Sequence, residues 1–117
     1  MKVNRESETV PFPVSIETRT ILLRNAQRRL VFAERTDPRP LLRIVDPSGT
    51  AFLVTELQPG DLRHGYGLAD QGDGNLAVGH IDLAALAARG AVLDAAFQAE
   101  FPLSVYIGQS IRQHETG

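Results

Sequence analysis

An α+β domain, with a mostly antiparallel sheet of about four strands covered by an N-terminal and a C-terminal helix on one face, is what this sequence predicts. Three observations point to it. An apolar stripe at helical spacing comes early, two strand-like runs are joined by a Pro-Gly turn, and a glycine-punctuated middle holds two more such runs.

Leu22, Leu23, Ala26, Leu30 and Ala33 fall on one helical stripe, with Arg24, Arg28 and Arg35 on the other side. The pattern starts near Ser15, and Asp37-Pro38-Arg39-Pro40 ends it, because proline removes a donor and pushes its predecessor out of the helical region. Leu41–Val45 and Ala51–Leu57 are rich in branched and aromatic residues. Between them Asp46-Pro47-Ser48-Gly49 sets Pro second in a turn and Gly where φ must be positive, which predicts a β-hairpin. Six glycines between Gly60 and Gly79 flank expected strands at His64–Asp70 and Asn75–Ile81. Asp82 then suits the N-cap of a short Ala-rich helix, Leu83–Arg89, closed by Gly90. Leu103, Tyr106, Ile107 and Ile111 keep helical spacing, so the last apolar stretch reads as a helix rather than a strand.

A chain of 117 residues fits one domain. The expected limits are an extended or frayed arm over 1–14, one α+β domain over 15–113 and a tail over 114–117. At 43% hydrophobic and 22% charged the composition is that of a globular chain. Cysteine is absent, which excludes disulfides and thiol catalysis. No apolar run approaches the roughly 20 residues of a membrane span, and no signal-like segment opens the sequence, so a cytoplasmic protein is expected. Charge is uneven. Residues 1 to 50 hold nine Lys or Arg against six acids, and residues 51 to 117 hold three Arg against eight.

No catalytic constellation emerges from the local motifs. Gly72-Asp73-Gly74-Asn75-Leu76-Ala77 matches a loose dinucleotide pattern, but a strand follows where a helix should open, so a tight hairpin loop is the plainer reading. The acids Asp70 and Asp73 stand at the first and fourth positions of a would-be calcium loop, which is the wrong spacing. The sequence has no G-x-S-x-G elbow and no P-loop, and the histidines His64, His80 and His114 lack metal-ligand spacing. No cofactor, metal or catalytic residue is called for. A hairpin centred near Gly72 can nonetheless bring His64 and His80 together with Asp70 or Glu56 beside them.

Thr55-Glu56-Leu57-Gln58-Pro59, Tyr66-Gly67-Leu68-Ala69-Asp70-Gln71-Gly72-Asp73-Gly74 and Val78-Gly79-His80-Ile81-Asp82-Leu83 resemble a bacterial family of unknown function, DUF2958. Its members typically read like L-L-T-E-L-D-P, F-G-L-C-D-L-G-M-G and E-L-G-Y-V-S-L at this spacing, with a later L-S-x-Y that is here Leu103-Ser104-Val105-Tyr106. The similarity spans roughly residues 18 to 107. This chain has Ala69 where the family has Cys, and His80 where it has Tyr. The resemblance implies a small stand-alone protein of plasmids and integrative conjugative elements, often near transfer, replication or anti-restriction genes. It implies no reaction and no catalytic residue.

The expectation is therefore a non-enzymatic protein-interaction module, an accessory of a mobile element, with another protein as partner and a homodimer open to it through its edge strands. Glu56, Asp70, Asp73, His64 and His80 are the candidate polar site. One rival is a nucleic-acid accessory using Arg24, Arg28, Arg35 and Arg39. The other is a small enzyme or ligand-binding domain, which requires Glu56, Asp70, His64 and His80 to converge on a concave pocket.

Overall fold

The computed structural model describes residues 8–32, 36–72 and 75–108. The chain runs α1 (Ile16–Phe32), β1 (Leu42–Val45), β2 (Ala51–Leu57), β3 (His64–Asp70), β4 (Leu76–Asp82), α2 (Leu83–Ala88) and β5 (Val92–Leu93). A last helix, α3, follows over 103–108. The strands form one antiparallel sheet in the order β4-β3-β2-β1-β5, so the α+β expectation holds with one strand more.

Local chemistry sets the boundaries. Ser15 Oγ accepts from the Thr18 N–H at 3.1 Å, the N-cap arrangement that begins α1. In the β1–β2 turn, Gly49 has φ +93°, while the Asp46 carboxylate accepts from the Ser48 and Thr50 N–H groups. Asp82 caps α2 by accepting from Ala85 N–H at 3.0 Å, and Gly90 closes it at φ +87°. No helix among the described residues is long and apolar enough to cross a membrane.

Two apolar clusters hold the sheet. The larger joins Leu22 of α1, Ile44 of β1, Val54 and Leu57 of β2, Ile81 of β4, and Leu83 and Leu86 of α2, with Phe12 buried against them. Phe12 of the N-terminal arm thus packs into this core. The smaller gathers Leu53, Leu68 and Leu103, with Phe97 and Tyr106 alongside. The first and last helices therefore seal separate cores and do not share the one face expected of them.

The register of β2 on β3 shifts between Val54 and Glu56, a bulge at Thr55. A bulge leaves a backbone group out of the ladder. Here α1 supplies the partner, since Asn25 Nδ2 donates to Thr55 O at 3.0 Å. The Thr55 hydroxyl donates to Tyr66 O at 3.1 Å, so both the carbonyl and the hydroxyl of this buried residue are satisfied. Next to the bulge, the backbones of β2 and β3 press together. A Cβ at position 67 would lie 2.0 Å from Leu53 O. Gly67 serves close approach and not a left-handed turn; its φ is not positive.

Candidate functional site

The seam of α1 against the sheet is Leu22, Asn25, Ala26 and Arg29, spaced i, i+3, i+4 and i+7. Leu30, expected on the apolar stripe, points into solvent. The helix is rotated from the predicted stripe because the bulge offers polar groups to satisfy, and Asn25 and Arg29 meet them. Glu56 is only 3% exposed, and its carboxylate accepts from Arg29 Nε at 2.7 Å. A buried carboxylate without such a partner is costly. The Arg29 guanidinium lies 4.0 Å from the centroid of the Tyr66 ring, a cation–π contact on the ring face.

From there the row runs straight across the sheet. Glu56 pairs with Tyr66, and Tyr66 with His80. His80 Nε2 and His64 Nδ1 are 2.8 Å apart, with ring centroids at 4.8 Å, so one nitrogen donates and the other accepts. Beyond them the Asp61 carboxylate stands 3.7 Å from His64 Nε2. Arg63 grips Asp61 through Nε and Nη2 at 3.0 Å each, and that hydrogen bonding holds the Asp61 carboxyl down at about 2.

Glu56, Tyr66, His80, Arg29 and the apolar Ala26, Leu30 and Pro59 line one recess of about 380 Å³. Of the expected group, His64 and His80 meet across the hairpin, and Glu56 and His80 line the recess, while His64 does not line it. Asp70 is at the far end of β3, about 20 Å along the strand from His64, where it pairs with Ala51 and Leu76 and accepts from the Gly72 N–H at 2.8 Å. It caps a turn and does not join the recess, because it lies at the opposite end of a seven-residue strand. Asp73 is outside the described residues.

The arginine set also divides. Arg28 and Arg39 line a wider recess of about 840 Å³ between α1 and the segment leading to β1, with Asp37 and Phe97 in its wall. Asp37 itself accepts from the N–H and the hydroxyl of Ser104, tying that segment to α3. Arg24 is exposed on α1, and Arg35 is outside the described residues. Among the described residues no group of three or more His, Cys, Asp or Glu is placed to hold a metal ion.

Sequence reasoning missed Arg29. The available signal was its place seven residues after Leu22 on the seam, a cation where an apolar side chain was expected.

No curated protein and no solved structure matches the chain. The model of the family DUF2958, a protein of unknown function, matches residues 14–115, nearly the whole length, and the chain belongs to that family.

Proposed function

We propose that this chain is a non-enzymatic protein-interaction module, a cytoplasmic accessory of mobile genetic elements, that binds a partner protein at the C-terminal end of α1. The observation that carries this reading is the exposure of three consecutive large apolar residues there. Leu30 is 77% exposed, Val31 71% and Phe32 54%. Each forgoes roughly 1.5–3 kcal/mol while it stays in water, and large apolar side chains left exposed together at one helix end favour a contact site. Leu30 also lines the Arg29–Glu56–Tyr66–His80 recess, so polar groups stand beside the apolar ones, as in the rim of an interface. The mobile-element context rests on the family resemblance alone.

A photo-crosslinking side chain in place of Val31, introduced in the native host, tests the reading, with the same group at Arg19 as the control. One discrete protein adduct from position 31, absent from position 19 and unaffected by nuclease, is the expected result. Equal labelling from both positions overturns it, and adducts lost on nuclease treatment favour the nucleic-acid role of Arg28 and Arg39. A second reading, a ligand-binding domain, has in its favour the convergence of Glu56 and His80 on one recess. It predicts saturable small-molecule binding that Glu56→Gln abolishes.

A further inference from the structure

Among the described strands β4 pairs only with β3, and it forms one edge of the sheet. It is seven residues long, Leu76-Ala77-Val78-Gly79-His80-Ile81-Asp82, and its pairing with β3 runs through seven consecutive partners without a bulge. Natural edges are blunted by shortness, proline, lysine or a bulge. β4 has none of these. Leu83 N–H donates to Arg63 O at the end of the ladder. By alternation the backbone groups of Ile81, Gly79 and Ala77 point towards β3, and those of Leu76, Val78, His80 and Asp82 point away from it.

We infer that this edge pairs with β4 of a second copy of the chain, antiparallel about a two-fold axis at Gly79. Only a register centred on Gly79 uses all seven residues. It sets Gly79 against Gly79, Val78 against His80, Ala77 against Ile81 and Leu76 against Asp82. The outward-pointing Val78 and His80 then face one another as hydrogen-bonded pairs, and Gly79 meets its copy as a non-hydrogen-bonded pair, which is the pattern an antiparallel ladder requires. No charge is set opposite its like, and nothing lies within 4 Å of a Cβ built on Gly79, so the axis is unobstructed. The pairing is isologous and closes after two copies. It also covers Val78, which is 48% exposed, and brings it against His80 of the other copy at the mouth of the recess. The surface used is the strand edge, separate from Val31 and Phe32, so this inference does not depend on the crosslinking result at α1.

The absence of cysteine makes the test direct. Gly79→Cys introduces a single thiol, and at a non-hydrogen-bonded pair the two Cα atoms stand about 4.5 Å apart, within disulfide range. Mild oxidation of the full-length variant is expected to give a quantitative disulfide-linked dimer, whereas Val92→Cys at the opposite edge stays monomeric. Comparable crosslinking of the two variants overturns the inference. Sedimentation equilibrium of the unmodified chain over a concentration series is expected to report twice the chain mass. Val78→Pro, which removes an outward N–H and leaves the β3 ladder intact, should halve that mass with an unchanged circular dichroism spectrum. A wild-type chain that stays monomeric throughout the series, or a folded Val78→Pro chain that stays dimeric, overturns it as well.

Discussion

The two edges of the sheet are built differently. β5 is two residues long, and its continuation is tied down at once: Asp94 N–H donates to Arg43 O at 2.8 Å, and the Asp94 carboxylate meets Arg43 Nη1 at 3.4 Å. Shortness and an adjacent charge pair leave that edge little to offer another chain. β4 has seven residues, and its one acid, Asp82, is occupied in capping α2. Where an edge is left long and its single acid is already occupied, its solitude in one molecule is the feature to explain.

The largest effect is expected from removing the footing of β4, which hangs on β3. Gly67→Ala places a methyl 2.0 Å from a β2 carbonyl that has no room to move, and should cost about 4 kcal/mol or more in urea unfolding. A cost under about 1 kcal/mol would mean that the two backbones are not packed this closely. Next comes Arg29→Ala, which leaves the buried Glu56 carboxylate unpaired beside the row leading to β4; about 3 kcal/mol is expected. Glu56→Gln in the same background should restore part of the loss, since the stranded charge is gone.

On the β4 side stability also depends on pH. The Asp61 carboxyl, ordinarily near 3.8, is held at about 2 by its hydrogen bonds from Arg63. A depressed carboxyl contributes stability that is fully present above about 3.8 and is lost as pH falls through about 2. Asp61→Asn should therefore lower the stability of the chain at neutral pH and flatten its stability profile within that window, so that the two proteins converge at the acid end. Parallel profiles for the two proteins would show that Arg63 does not hold the carboxylate in solution. The smallest effect belongs to the other edge, where Val92→Thr at an exposed position of β5 should shift stability by no more than about 0.5 kcal/mol.

Much of this was legible in the sequence where turn chemistry dictates it. Asp46-Pro47-Ser48-Gly49 and Asp82 announced the hairpin and the second helix, and β3 has its expected bounds. β5 was not legible, because two residues carry no alternation to read. The bulge at Thr55 leaves no local signature either, as it arises from pairing between strands. That single shift decides which face of α1 turns inward, so the sequence pattern favoured Leu30 where the fold uses Arg29. For the candidate site, hairpin symmetry brought His64 and His80 together correctly. It could not show that Asp70 is at the wrong end of the strand, or that Glu56 is matched by a cation 27 residues earlier in the chain.

The strand order also bears on how the chain folds. β1 to β4 are each hydrogen-bonded to the strand that precedes or follows in the chain, so the meander can zip from the Asp46–Thr50 turn outward through short loop closures. β5 is the exception, returning to β1 across the whole sheet after α2. Its contacts should form after the rate-limiting step, so substitutions at Val92 and Leu93 should alter the unfolding rate alone, while those in the first hairpin should slow folding.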